Sequence, residues 1–277
     1  MLTKLDYTDI QNHKAFPLWG DEIPPYGMEQ GEVFPTVMPY LAEHSKYAVV
    51  IFPGGGYFQL SVASEGVAIA KALNTKGISA FVVTYRYKPC DGHAILADGM
   101  RAMQFVRYYA ENFSIDKEKI ALMGFSAGGH LAVTVAEHQP NVICDDISRE
   151  CATPNALLLG YPVVTLMDGT FPTMPGIFLG EQKDDQSLLE KYSYTYCPEV
   201  IPPTFSWYSV KDTAVDYTKN AEALHRLLCE LGTPSECHGF MDGAHGIGLG
   251  RDFPEYATWL SLAVRFTDGI LLKNDEK

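Results

Sequence analysis

The chain has 277 residues, 47% of them hydrophobic and 20% charged, the balance of an ordinary globular protein with room for a sizeable core. Its formal net charge is −13 and no Lys/Arg cluster reverses that locally, which excludes nucleic acid and anionic membranes as partners. The start, Met1-Leu2-Thr3-Lys4-Leu5-Asp6-Tyr7, lacks the apolar run of a signal peptide, and no stretch is apolar enough to span a bilayer; a cytoplasmic location is the default expectation.

A Pro- and Gly-rich lead-in occupies residues 1–46. Residues 47–52 are an unbroken apolar run, read as a buried strand and ended by Pro53-Gly54-Gly55-Gly56. Helical spacing runs over 62–76 and stops at Gly77, a C-cap signal. Residues 78–85, rich in β-branched and aromatic side chains, predict the next strand, and 94–113 a helix with Leu96, Met100, Met103 and Val106 on one side. A short apolar strand at 119–123 leads through a glycine-flanked turn into a helix over 127–136 packed by small residues. Strands follow at 156–161 and 205–210, then a helix from about 214 to 231, a last strand at 235–241 and a closing helix from 253 to about 272.

The alternation fails once, between Val164 and Ile201, where one short helical piece (186–192) is expected. Phe171, Phe178, Leu179, Tyr192 and Tyr194 argue against disorder there, so a small lid over about 165–201 is expected. The whole reads as an α/β fold in one domain over 1–277: a mostly parallel twisted sheet with helices on both faces. In such sheets chemistry gathers at the carboxyl ends of the strands.

Gly124-Phe125-Ser126-Ala127-Gly128 is a G-x-S-x-G sequence between a predicted strand and a predicted helix. So tight a turn strains the serine backbone, the glycines remove side chains that would clash, and the hydroxyl is pushed above the sheet edge. A serine there needs a base. Of His13, His44, His93, His130, His138, His225, His238 and His245, only His245 lies in a Gly-rich loop just past the last strand. His130 reads as a packing or hydrogen-bonding residue, and His225 and His238 as structural.

The base needs a carboxylate to fix its tautomer. Asp212 follows the strand ending Ser209-Val210 and gives the chain order Ser, Asp, His; Asp242 is its rival, and Asp216 reads as solvated. Gly55 or Gly56, with Ala127, would supply N–H donors to an oxyanion, each worth roughly 3–4 kcal/mol of barrier. The Gly triplet has neither the Gly-Lys-Ser/Thr ending of a P-loop nor the spacing of a dinucleotide site. Cys90, Cys144, Cys151, Cys197, Cys229 and Cys237 form no C-x-x-C pair and read as reduced, structural thiols, and no metal is implied.

Six stretches together resemble a known family: Pro53-Gly54-Gly55-Gly56-Tyr57, Val83-Thr84-Tyr85-Arg86-Tyr87, Gly124 to His130, Pro202-Pro203-Thr204-Phe205, Asp212-Thr213-Ala214-Val215 and Gly243-Ala244-His245-Gly246. In this order they resemble the α/β-hydrolase superfamily, in its esterase branch related to hormone-sensitive lipase and to acetyl-xylan and feruloyl (carbohydrate) esterases. The resemblance implies Ser126 as nucleophile, Asp212 as acid and His245 as base of a serine carboxylester hydrolase without a cofactor. It also implies short acyl esters as substrates, with acetylated sugars or xylo-oligosaccharides foremost. Trp19, Tyr57 and Tyr161 are the aromatic candidates for stacking on a sugar face.

Two positions depart from many relatives: Pro53 stands where a His precedes the Gly triplet, and the segment before Asp212 reads Tyr208-Ser209-Val210-Lys211, where a His-Gly pair often stands. Two other functions are weighed. A peptidase or amidase of the prolyl-oligopeptidase type usually carries a large gating domain, for which this chain has no room. A non-catalytic receptor on the same scaffold tends to lose a triad member, and here all three have candidates. A small-molecule or oligosaccharide ester is the expected partner, and a homo-oligomer is compatible with the sequence.

Overall fold

A computed structural model describes residues 7–21, 24–28, 33–88, 91–139, 143–167 and 171–272. Among these residues eight strands form one sheet: β1 (Phe16–Pro17), β2 (Thr36–Tyr40), β3 (Ala48–Phe52), β4 (Ser79–Thr84), β5 (Ile120–Phe125), β6 (Ala156–Gly160), β7 (Thr204–Ser209) and β8 (Ser235–Phe240). Their spatial order is β1-β2-β4-β3-β5-β6-β7-β8; β3 through β8 run parallel, while β1 and β2 add an antiparallel edge. Every residue of β3 and β5 is buried, so neither face of the central sheet can meet water and both must be covered by helices.

The helices are α1 (Tyr7–Gln11), α2 (Ala68–Asn74), α3 (Gly92–Tyr108), α4 (Ala127–Glu137), α5 (Met174–Leu179), α6 (Gln186–Lys191), α7 (Ala221–Glu230) and α8 (Trp259–Leu271). Strand alternation sorts the core into two layers. Val50, Phe52 and Leu122 pack with α3, α4 and α7; Val49, Ile51 and Met123 pack with α2 and α8. Each such aliphatic side chain contributes about 1.5–3 kcal/mol on burial. The chain runs from β3 outward to β4, then crosses back to place β5 on the other side of β3. That reversal opens a crevice at the carboxyl ends of β3 and β5, where doubly wound sheets bind ligands.

Several elements differ from the sequence reading. The lead-in is built into the sheet: β2 pairs with β4 from Thr36↔Thr84 to Tyr40↔Ala80, with Pro39 tolerated because β1 pairs only with Thr36 and Val37 and leaves β2 a sheet edge beyond them among the described residues. The helix expected over 62–76 is split into a π-helical stretch, Val62–Val67, and α2; the N–H of Ala68 donates five residues back, to the carbonyl of Ala63. The helix expected from 214 starts only at Ala221, because Asp212 accepts from the N–H groups of Ala214 and Val215, and Asp216 from that of Thr218. These carboxylate-centred turns compete with the helix for the same donors. The closing helix likewise begins at Trp259, after a 3₁₀ turn at Tyr256–Thr258.

The interruption after Val164 holds two helices, α5 and α6, with Pro175 in the first turn of α5 and Asp185 capping α6. Phe178 anchors it, its ring 5.4 Å from that of Tyr57, 5.0 Å from His130 and 5.1 Å from Tyr192. Cys144, Cys151, Cys197, Cys229 and Cys237 are free thiols, and Cys90 and residues 1–6 lie outside the described residues. Among the described residues no helix is long and apolar enough to cross a membrane.

Candidate active site

Ser126 sits between β5 and α4 with φ +52°, a conformation that costs a non-glycine residue roughly 1–3 kcal/mol. The neighbours impose it. The Ser126 N–H donates to the carbonyl of Gly160 (3.0 Å), while its own carbonyl accepts from Gly129 (2.9 Å) and Val163 (3.1 Å). A Cβ on Gly124 would lie 2.3 Å from the carbonyl oxygen of Gly128, and one on Gly128 would lie 2.2 Å from that of Phe52. Only glycine lets strand and helix meet this closely.

The Oγ of Ser126 is 2.8 Å from Nε2 of His245, and Nδ1 of His245 is 2.7 Å from Oδ2 of Asp212. A carboxylate only accepts, so Nδ1 carries the proton and Nε2 is left to accept from the serine hydroxyl. The Asp212 side chain is 1% exposed. Burial pushes its carboxyl up, but the His245 hydrogen bond and charge and the N–H groups of Val215 and Ala214 outweigh that and hold it below the usual carboxylate range. The turn that displaces the start of α7 therefore also fixes this carboxylate. Asp242 is engaged elsewhere, in an exposed ion pair with Lys211, and Asp216 holds the 216–218 turn.

Ser126 and His245 border a cleft of about 280 Å³, lined also by Gly55, Gly56 and Ala127 and by the apolar side chains of Val163, Phe171 and Met174. The N–H groups of Gly55, Gly56 and Ala127 meet no acceptor among the described residues, as expected for the first turn of α4 and for a loop with φ +134° and +63° at its two glycines. Phe58 stands at the mouth, 47% exposed, and also borders an adjoining surface hollow with Pro172, Thr173 and Lys88. Among the described residues no three His, Cys, Asp or Glu side chains gather as a metal-binding set.

Three aromatic assignments are corrected. Tyr57 is fully buried: its hydroxyl donates to Nδ1 of His130 (2.9 Å), whose Nε2–H donates to the carbonyl of Tyr192 (2.8 Å). Burial holds this His130 imidazole down at about 4. Tyr161 lies beneath His245 rather than in the cleft, its hydroxyl donating to Glu65 (2.6 Å). Trp19 is on another face, where its indole N–H donates to the buried Asp98 (2.8 Å). Each ring is a packing residue whose polar tip is satisfied internally.

The aromatic side chains that do reach the cleft, Phe58 and Phe171, were not singled out for it. Phe58 follows the glycine loop directly, which is the signal that could have found it. Glu65 was missed as well. It is buried, lines the cleft, and falls on the apolar stripe of Val62, Ile69 and Leu73, where a lone acid needs explaining.

The sequence pattern of the BD-FAE family matches residues 37–228, and the chain belongs to this family of α/β-hydrolase esterases. It is 28% identical over 228 residues to endo-1,4-beta-xylanase B of Butyrivibrio fibrisolvens, covering 79% of this chain and 35% of that protein. It is 30% identical over 210 residues to the acetylxylan esterase of Xylanibacter ruminicola, covering 74% of this chain and 42% of that protein. The chain thus spans less than half the length of either curated relative. The crystal structure of acetyl ester-xyloside bifunctional hydrolase from Caldicellulosiruptor lactoaceticus superposes with a TM-score of 0.87 at 32% identity, over 93% of this chain and 96% of that one.

Proposed function

We propose that this member of the BD-FAE family is a serine carboxylester hydrolase that removes short acyl groups, acetyl foremost, from sugars or xylo-oligosaccharides. The observation that carries the reading is the unbroken line of hydrogen bonds from Ser126 Oγ through His245 to the buried Asp212, at the floor of a small cleft. Nε2 of His245 takes the hydroxyl proton as Oγ attacks the ester carbonyl carbon. The N–H of Ala127, with that of Gly55 or Gly56, receives the developing oxyanion. His245 then returns the proton to the departing alcohol, and water, deprotonated by the same imidazole, releases the acid from the acyl-serine. Asp212 stabilises the imidazolium in both halves. No step needs a cofactor.

The substrate class rests on two supports. Val163, Phe171 and Met174 give the cleft an apolar wall sized for a short acyl chain. The relatives named for acetylxylan and acetyl ester-xyloside hydrolysis supply the sugar. The alcohol would leave past Phe58, whose exposed ring can stack on a sugar face. The test is a panel of p-nitrophenyl acetate, butyrate and octanoate, acetylated xylo-oligosaccharides and p-nitroanilide peptides, with phosphonate labelling of Ser126. Turnover is expected to fall from acetate to octanoate, with peptides inert. Faster amide than ester cleavage, or no label on Ser126, overturns the reading.

A further inference from the structure

Glu65 is an acid buried at 2% exposure beside the reacting groups, and the ester chemistry has no step for it. Its two oxygens face different loops. Oε2 accepts from the N–H of Gly54 (2.7 Å), the residue that opens the Gly55-Gly56 loop. Oε1 accepts from the hydroxyl of Tyr161 (2.6 Å). That hydroxyl in turn accepts from the N–H of Gly248 (3.0 Å), three residues past His245. The Tyr161 ring meets the His245 ring edge-on, with centroids 4.9 Å apart.

One carboxylate therefore ties together the loop after β3, the loop after β6 and the loop after β8, three segments far apart in sequence. The fold goes to some length to put it there. The π-helical stretch Val62–Val67 carries Glu65 inward, and Tyr161 holds φ +34°. π-Helical insertions and strained residues of this kind cluster at functional sites. A Cβ on Gly54 would lie 2.6 Å from the carbonyl oxygen of Phe125 as well as 2.9 Å from Oε2 and 3.0 Å from Cβ of Ser126, so glycine is required between the acid and the serine.

The protonation state follows from the hydrogen bonds. Gly54 can only donate, and Tyr161, already accepting from Gly248, donates its own proton; both oxygens of Glu65 thus act as acceptors, as an ionised carboxylate requires. Burial outweighs the lowering by the bonds from Tyr161 and Gly54 and by the nearby His245, so this carboxyl sits above the usual carboxylate range even though both its oxygens accept. The ionisable groups facing His245 are then Asp212, Glu65 and Tyr161, and among the described residues no lysine or arginine lines the cleft.

We propose that Glu65 is a positioning residue for the hydrolysis proposed above, holding the oxyanion loop through Gly54 and the histidine loop through Tyr161, and adding a second negative charge that favours the imidazolium of the transition state. Only the charge part of this predicts a changed pH dependence; a purely structural acid does not.

The test compares the full chain with E65Q, matched to its shape but neutral, and with Tyr161→Phe, which keeps the ring against His245 and removes the link. The readouts are kcat and KM for p-nitrophenyl acetate across pH, with thermal unfolding as a check on folding. In E65Q, kcat is expected to fall roughly tenfold to a hundredfold with little change in KM, the scale seen when reacting groups are displaced slightly. The acid limb of kcat/KM is expected to move to lower pH by roughly half a unit or more, because a carboxylate no longer favours the protonated imidazole. Tyr161→Phe is expected to lower kcat several-fold while Glu65 keeps its charge.

An E65Q enzyme with wild-type kcat, or one whose loss is all in KM with the acid limb unmoved, overturns the proposal. Should E65Q not fold, Tyr161→Phe decides, and wild-type kcat in that variant overturns it. A wild-type protein with neither ester turnover nor Ser126 labelling would instead refute the esterase reading, a distinct result.

Discussion

The turn that carries Ser126 and the capping segment from Phe171 to Ile201 face the same cleft and are held in opposite ways. The turn is over-determined: glycines at 124 and 128 bring backbone against backbone, and three main-chain hydrogen bonds fix a strained φ. The cap is two helices of six residues each, held by a few buried side chains, Met174, Phe178, Leu189 and Tyr192, and by bonds such as His130 to the carbonyl of Tyr192 and Tyr194 N–H to the carbonyl of Val164. Helices this short are not stable alone, so the cap's order depends on its contacts. Chemistry that tolerates little displacement rests on the sheet, while Phe171 and Met174, which also line the cleft, belong to the less tightly held segment.

The largest test breaks the rigid side. Ser126→Ala and His245→Ala are each expected to lower kcat for p-nitrophenyl acetate by about a millionfold, with the fold unchanged by circular dichroism. Asp212→Asn is expected to cost about ten-thousandfold by presenting the wrong histidine tautomer, whereas Asp242→Asn leaves kcat within a few-fold. The reverse ranking would move the acid to Asp242. Gly128→Ala would force a methyl to within 2.2 Å of the carbonyl of Phe52, so α4 must shift off β3. A loss of about 3 kcal/mol or more in denaturant unfolding is expected, on the scale of severe overpacking, together with loss of activity.

Phe178→Ala breaks the other side. The ring is buried between Tyr57, His130 and Tyr192, and truncating such a phenylalanine typically costs about 3–5 kcal/mol. Here the cost is expected to appear locally, as faster amide hydrogen exchange over residues 171–196 with β5 still protected. KM for acetate esters rises and kcat stays within about tenfold, since the Ser126 turn is held by its own main-chain bonds to Gly160, Gly129 and Val163. Loss of protection in β5 would show that the two regions unfold as one.

What the sequence made legible divides along the same line. The central strands could be read because 47–52 and 120–123 are unbroken apolar runs, and Ser126 because its glycines have one steric purpose. His245 could be picked out because its loop leaves the sheet at a carboxyl end. The start of α7 was misplaced because the turns made by Asp212 and Asp216 compete with helix, and propensity alone does not reveal that. β2 was hidden by Pro39, which counts against a strand until its partner is known. Tyr57, Tyr161 and Trp19 were misassigned because an aromatic residue near a site in sequence gives no sign of which way its ring points. Their buried hydrogen-bond partners, His130, Glu65 and Asp98, are 73, 96 and 79 residues away.

The smallest effect sharpens the contrast through pH. Glu137 ends α4, and its Oε1 accepts from the N–H of Cys197 in the cap (3.2 Å), while its buried Oε2 has no partner among the described residues. Burial pushes this carboxyl up to about 8, against the lowering by the Cys197 N–H and with help from the nearby Glu199. A group whose folded value exceeds its unfolded one contributes stability that is complete below about 4.5 and is lost as pH rises through about 8. His130 has the opposite sign: held down at about 4, it contributes stability that is complete above about 6.5 and lost as pH falls toward 4. Between about pH 6.5 and 8.5, then, Glu137 titrates while His130 does not. Over that window the wild-type Tm is expected to fall and the Tm of Glu137→Gln to stay level, with exchange rising first in the cap. If the two proteins show parallel Tm curves from pH 6.5 to 8.5, the carboxyl of Glu137 is not protonated in the folded state, and the cap's attachment to α4 does not depend on its charge.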